Sequence, residues 1–281
     1  MLGANGVGKT TLMSLISGHT FRTGGQILVD GVDPVEHAAV LQRMCFIHED
    51  QRYNDVLTVG QILSVTPSFY PDWSAETADR VVEAFRLPRG TRSKKLSRGQ
   101  RSALAITISL ASRAAYTFLD EPYLGLDASA RSIFYDELLR EYAEHPRTII
   151  LSTHLIDEAA DLMEEALILE DGTVAVQTDV DEARRASFLV RCREADVRAL
   201  VGEREVLTER RLGAILSATV RGQASAEDHA AADRAHLSIE AATLQEFVAA
   251  IGIHSLDSHE AGHDRGHDRG HHRTHDSELT S

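Results

Sequence analysis

An α/β fold built on a parallel sheet is predicted by three observations. Residues Gly3-Ala4-Asn5-Gly6-Val7-Gly8-Lys9-Thr10-Thr11 fit the phosphate-binding pattern of Gly, four variable residues, then Gly-Lys-Ser/Thr. Compact β-type runs alternate with helical periodicities from there to the turn at Asp171-Gly172. Two of those runs end in side chains capable of chemistry, Asp120-Glu121 and Ser152-Thr153-His154. Strand ends of open α/β sheets face ligands in this way.

The phosphate loop comes first. Its glycines let the backbone curl so that successive N–H groups point into one concavity, and Leu12 to Ile16 continue as a helix. A polyphosphate meets unpaired donors and a favourable macrodipole there. The pattern has Lys9 reaching the β- and γ-phosphates and Thr10 offering its hydroxyl to Mg²⁺. A buried strand normally precedes such a loop, and only Met1 and Leu2 stand in its place. The start therefore reads as truncated, with a damaged sheet edge expected beside the loop.

Beyond the first helix, Gly24-Gly25 turns the chain into Gln26-Ile27-Leu28-Val29, a short strand bounded by Asp30-Gly31. Ala38 to Leu41 reads as helical. Met44-Cys45-Phe46-Ile47 is a second buried-type strand, ending in the polar cluster His48-Glu49-Asp50-Gln51. From Leu57 to Ser112 helices dominate, broken by the loop Thr66 to Trp73, so an inserted helical layer is expected with Phe69, Tyr70 and Trp73 packing between its helices. Ser97 and Gln100 match a capping box at the head of an apolar-periodic helix carrying Leu104, Ile108 and Ala111.

Tyr116 to Leu119 is the next strand, and Pro122 ends its ladder just after the carboxylate pair. A helix with Phe134, Leu138 and Tyr142 on one face leads to the strand Thr148 to Leu151. Leu155 to Met163 reads as helix and Ala166 to Leu169 as strand. Asp171-Gly172 then turns the chain into Val174-Ala175-Val176 as a hairpin. A first domain over residues 1–180 is followed by a small α+β appendage over 187–252, with strand-like Phe188 to Val190 and a closing helix around Leu244, Phe247 and Val248. From 254 to 281 the chain is low in complexity and holds half of its 14 histidines, so a disordered tail is expected.

Composition narrows the function. A chain of 281 residues can bury a sizeable core without staples. Its two cysteines, Cys45 and Cys192, lie far apart beside apolar residues and read as buried free thiols of a reducing compartment. A net charge of −14 argues against a general nucleic-acid binder. No apolar run approaches the roughly 18 residues of a membrane span, so any membrane partner is a separate chain.

The phosphate loop, Leu96-Ser97-Arg98-Gly99-Gln100, Phe118-Leu119-Asp120-Glu121-Pro122, Gly125-Leu126-Asp127 and Ser152-Thr153-His154, in that order, resemble the ATPase domain of ABC transporters, a P-loop NTPase fold. The resemblance covers residues 1–180. Phe69-Tyr70-Pro71-Asp72-Trp73, Leu57-Thr58-Val59 and the segment Leu244 to Val248 look like the ABC-2 exporter branch.

The resemblance implies roles. Asn5, Gly6, Val7, Gly8, Lys9, Thr10 and Thr11 would hold ATP; Thr10, Asp120 and Glu49 would bind Mg²⁺. Glu121 is similar to the general base and His154 to the switch histidine at the γ-phosphate. Ser97, Gly99 and Gln100 would act on nucleotide across a head-to-tail dimer with a second ATPase subunit, identical or not, and Asp127 would also bind nucleotide. Separate transmembrane permease subunits would hold the pair at the inner face of the cell membrane.

Three positions depart from the family pattern. Glu49, or Gln51 two residues on, stands for the Q-loop glutamine; Arg98 replaces the first signature glycine; and the aromatic residue that stacks on adenine would precede Met1. The resemblance leaves two rival readings, a truncated regulatory copy with impaired catalysis and a non-transport ABC ATPase. The latter calls for a coiled-coil insertion or a second ATPase domain, and the sequence has neither heptads nor an internal repeat.

Overall fold

A computed structural model of the chain describes residues 1–49 and 51–250. The His-rich tail lies outside the described residues. Helix α1 (Lys9–Ile16) follows the phosphate loop, and α2 (Ala38–Leu41) precedes β1 (Met44–Ile47). Helices α3 (Val59–Val65), α4 (Ala75–Ala84) and α5 (Arg98–Ser112) form the helical layer. There follow β2 (Tyr116–Asp120), α6 (Ala128–Glu144), β3 (Thr148–Ser152) and α7 (Ile156–Ala159). The hairpin is β4 (Glu165–Glu170) with β5 (Thr173–Asp179), leading into α8 (Val180–Arg185).

Strands β1, β2 and β3 pair in parallel in that order, with Phe46 opposite Phe118 and Asp120 opposite Ser152. Their runs are apolar almost throughout because both faces are covered. Alternation then sorts the side chains. Phe46 and Phe118 join Met13 of α1 on one face, while Cys45, Ile47 and Leu119 meet Ile106 and Leu110 of α5 and Phe134 and Leu138 of α6 on the other. Tyr142, one turn farther along α6, bonds Glu164 at 3.0 Å.

Met1 and Leu2 do not lie at a sheet edge. Leu2 donates to Leu167 O at 2.7 Å and accepts from Leu169 N at 2.9 Å; Met1 O accepts from Thr153 N at 3.3 Å. The two residues thus bridge β3 and β4, and Leu2 is fully buried.

Two expected elements differ. Gln26 to Val29 forms no strand, because among the described residues it has only the two-residue bridge Val29 to Val32 as a partner. Leu155 to Met163 is one turn of α-helix and a 3₁₀ turn, Ala160–Leu162, rather than a continuous helix.

Both capping boxes of the helical layer are formed, Thr58 with Gln61 and Ser97 with Gln100. Its core is Val59, Ile62, Leu63, Val82, Leu87 and Leu104 with neighbours, and Tyr70 and Trp73 pack against it. Phe69 does not; it is 67 % exposed after the 3₁₀ turn Thr66–Ser68.

The appendage is an antiparallel sheet. It comprises β6 (Ser187–Arg193), α9 (Glu194–Val201), β7 (Val206–Leu212), β8 (Ile215–Arg221), α10 (Ala226–Ala235) and β9 (Ser238–Ala241), with strand order β7-β8-β6-β9. Phe188, Val190, Val197, Leu216 and Val220 make its core. The closing helix, α11 (Leu244–Ala250), returns to the first part of the chain. Leu244, Phe247 and Val248 pack with Leu2, Ile156, Ala166 and Ile168. Cys45 is a buried free thiol, whereas Cys192 is only half-buried.

Candidate active site

The phosphate loop, the C-terminal ends of β2 and β3 and the head of α1 meet beside the Leu2 bridge. Gly3 must be glycine, because a Cβ there would stand 2.7 Å from Leu169 O, and its φ is +147°. Gly8 heads α1 at φ 109° with no side-chain cap, so the first-turn N–H groups are left for another acceptor. Asn5, Gly6, Thr10 and Thr11 are exposed around that turn, and Val7 folds back to donate to Ala4 O at 3.3 Å. Lys9 is buried, and its Nζ donates to Gly3 O at 2.7 Å and Ala4 O at 3.1 Å. Burial pulls its pKa below the usual lysine value, and the carboxylates of Glu121 and Asp120 oppose that pull.

Asp120 ends β2 and is buried. Thr10 Oγ1 donates to its Oδ2 at 2.5 Å, and Ser152 Oγ donates to Oδ1. The parallel register sets Asp120 beside Ser152, which places the two side chains within reach of the second bond. A carboxylate and a hydroxyl are the hard oxygen donors that Mg²⁺ takes.

Glu121 follows in the left-handed region at φ 47°, its N–H directed at Ser152 O at 3.3 Å and Ser152 Oγ at 3.2 Å. A non-glycine residue held there marks a constrained position. Its Oε2 accepts from Tyr123 OH and from His154 Nδ1 at 2.8 Å; a carboxylate only accepts, so the imidazole proton sits on Nδ1. Oε1 is buried and has no hydrogen-bond partner among the described residues.

Ser97 Oγ accepts from Gln100 N at 3.1 Å at the head of α5. Gly99 is pressed against the turn after β2, where an added Cβ would lie 2.6 Å from Gly125 O. Asp127 caps α6, accepting from Ala130 N at 2.8 Å.

Thr10 and Asp120 are brought together, but Glu49 is not brought to them. It pairs with Arg98, and both side chains are about half exposed. No group of three metal-capable His, Cys, Asp or Glu side chains occurs among the described residues. The alternative, Gln51, is half-buried on the wall of an apolar groove. Sequence reasoning missed Tyr123, which reads as one more packing aromatic, and the Asp120 contact of Ser152. The second was available in principle, since two five-residue strands ending in polar residues can be aligned end to end.

The ABC transporter family model matches residues 1–124. The ABC transporter ATP-binding protein YtrB of Bacillus subtilis is 28 % identical over 207 residues, 73 % of this chain and 71 % of that protein. The aliphatic sulfonates import ATP-binding protein SsuB of Pseudomonas putida is 32 % identical over 204 residues, 70 % of this chain and 73 % of that one. Among solved structures, an ATP-binding subunit of an ABC transporter superposes with a TM-score of 0.59 at 25 % identity, covering 66 % of this chain and 79 % of that one. Importers and exporters both occur among the similar proteins. This chain belongs to the ATP-binding proteins of ABC transporters and is an α/β ABC ATPase.

Proposed function

We propose that this ATPase powers export through separate transmembrane subunits, working as a head-to-tail dimer at the cytoplasmic face of a membrane, with Glu121 as general base. The observation that carries the catalytic part is the convergence of two groups beside the phosphate loop: Thr10, Asp120 and Ser152 on one side, Glu121, Tyr123 and His154 on the other. Lys9 and the free amides of the α1 turn bind and orient the polyphosphate. Thr10 and Asp120 would hold Mg²⁺, which when bound supplies charge to neutralise the phosphates. Water's oxygen bonds to the γ-phosphorus as the bond to the β–γ bridging oxygen breaks, and the water's proton passes to Glu121 Oε1, the oxygen without a partner. The products are ADP and inorganic phosphate.

No helix among the described residues is long and apolar enough to cross a membrane. A groove of about 610 Å³ between α2, β1 and the helical layer supports a permease partner. Leu41, Tyr53, Val65 and Phe69 line it, and Val65 and Phe69 are exposed. Export rests on the ABC-2-like stretches around Phe69 to Trp73 and Leu57 to Val59.

Glu121→Gln is expected to lose about 10²- to 10⁴-fold in turnover while ATP binding stays near parental; Lys9→Ala is expected to lose binding. Near-parental turnover in Glu121→Gln overturns the base assignment. The tagged chain, purified from detergent-solubilised membranes, should carry a multi-span protein. Capture of none overturns the transport part, and a captured partner that drives uptake in sealed vesicles overturns export.

A further inference from the structure

Tyr123 is 2 % exposed, yet its hydroxyl is the meeting point of three residues of the site. The phenol has one hydrogen, and it goes to Glu121 Oε2, which cannot donate. The remaining contacts must then run toward the phenol oxygen. Thr153 Oγ1 donates to it at 2.6 Å while itself accepting from Leu155 N at 2.9 Å, and His154 N donates to it at 3.2 Å. The His154 ring stands edge-on to the Tyr123 ring, with centroids 5.7 Å apart. Burial and the adjacent Glu121 carboxylate hold the phenol pKa far above its usual value, so the hydroxyl remains a donor at all working pH.

This arrangement is asymmetric. Both anchors of Glu121, Tyr123 OH and His154 Nδ1, fall on Oε2, and among the described residues none falls on Oε1. A general base needs that asymmetry: one oxygen fixed, so that the carboxylate does not rotate, and one with open lone pairs.

We propose that Tyr123 is a positioning residue for hydrolysis, holding Oε2 of Glu121 so that the lone pairs of Oε1 stay unbonded for the incoming proton and tying Glu121, Thr153 and His154 into one unit. The proposal rests on Glu121 being the base. It concerns the rate of the chemical step and not nucleotide affinity, because among the described residues the hydrogen bonds of Tyr123 go to Glu121, Thr153 and His154 and not to the phosphate loop.

The test uses the full chain and three variants: Tyr123→Phe, Glu121→Gln and the pair combined. Tyr123→Phe keeps the ring that packs against His154 and deletes only the hydroxyl. Its kcat should fall about tenfold, the worth of one charge-assisted hydrogen bond. ATP affinity should stay within about twofold, because the binding groups are untouched. In the Glu121→Gln background the Tyr123→Phe change should cost little more, since the phenol acts through the carboxylate. A merely structural tyrosine would lower thermal stability and affinity together, or cost the same tenfold in both backgrounds.

Parental kcat in Tyr123→Phe, or full additivity with Glu121→Gln, overturns the proposal while leaving the base reading intact. Near-parental kcat in Glu121→Gln overturns both. Should Tyr123→Phe not fold, Thr153→Val reads the same link at a buried isosteric position. Reduced kcat with unchanged affinity supports the proposal there, and parental kcat overturns it.

Discussion

Replacing Glu141 by Gln is expected to destabilise the fold by about 3 kcal/mol. Glu141 lies on α6 and is 0 % exposed. Its Oε2 accepts from Thr77 Oγ1 at 3.0 Å and Arg80 Nη2 at 3.2 Å on α4; its Oε1 accepts from Arg113 Nε at 2.9 Å at the end of α5. Arg147, just before β3, stands 3.8 Å away, is 5 % exposed, and has an Nε with no partner among the described residues. Burial depresses the Arg147 pKa, and Glu141 is the first charge opposing it. The one carboxylate therefore serves cations from three elements and ties the helical layer to the sheet. Gln keeps the shape and removes the charge, leaving a buried guanidinium uncompensated. Such losses cost about 3–5 kcal/mol, and the lower figure applies because Arg80 and Arg113 retain some water. At about 2–4 °C per kcal/mol for a chain of this size, the melting temperature should drop by about 6–12 °C. Glu137→Gln is the contrast: among the described residues it bonds Arg80 alone, and Arg80 keeps Glu141 while Gln keeps a hydrogen-bond acceptor, so a smaller loss of about 1 kcal/mol is expected. Thermal and urea unfolding of both variants beside the parent decide it. A loss below about 1 kcal/mol in Glu141→Gln would refute the hub argument.

Two further outcomes follow from single positions. Gly3→Ala should cost about 1–3 kcal/mol and weaken ATP binding, because the new methyl meets Leu169 O at 2.7 Å with φ at +147°; Gly24→Ala, with open space around it, should be neutral in the same melting assay. In the appendage, Arg204 and then Ser225 lower the Asp228 pKa to about 2. The folded value lies below the unfolded one of about 3.9, so the stabilisation is fully present above about pH 5 and is lost as the pH falls toward 2. Asp228→Asn should therefore be less stable than the parent at pH 7, by on the order of 1 kcal/mol after screening, with most of that gap gone near pH 2 and the remainder lost below it. A gap undiminished at pH 2 would contradict this.

How much was legible depended on whether a signal was local. The phosphate loop, the capping box at Ser97 and Gln100 and the carboxylates closing β2 are set by residues within a few positions of one another, and each appears where the sequence puts it. Gln26 to Val29 has strand propensity, but propensity alone cannot supply a ladder partner. The closing helix α11 has an apolar face that suits any apolar surface; that the surface is Leu2 and Ile168 is a property of the assembled fold. Tyr123 was hidden for a related reason. Burial and aromaticity describe a packing residue equally well, and the chemistry of its hydroxyl depends on Thr153 and His154, about 30 positions along the chain.

Glu49, which shares with Gln51 the candidacy for the Q-loop position, and Arg98, which the resemblance sets at the first signature glycine, are better understood together than apart. Taken singly, an acid where the family carries an amide and a cation where it carries a glycine are two unrelated anomalies. In the fold they are partners, joining the loop after β1 to the head of α5. Arg98 reaches across by laying its aliphatic stem over Gly125, where an added Cβ would stand 2.7 Å from Cγ. That glycine leaves room for the larger side chain. At 59 % and 46 % exposure the pair is worth no more than about 1 kcal/mol, too little to explain it as a stability device. What it does is match charges: Glu49 on the loop after β1 neutralises the guanidinium that Arg98 brings to the head of α5, and losing either would leave the other with an unmatched exposed charge.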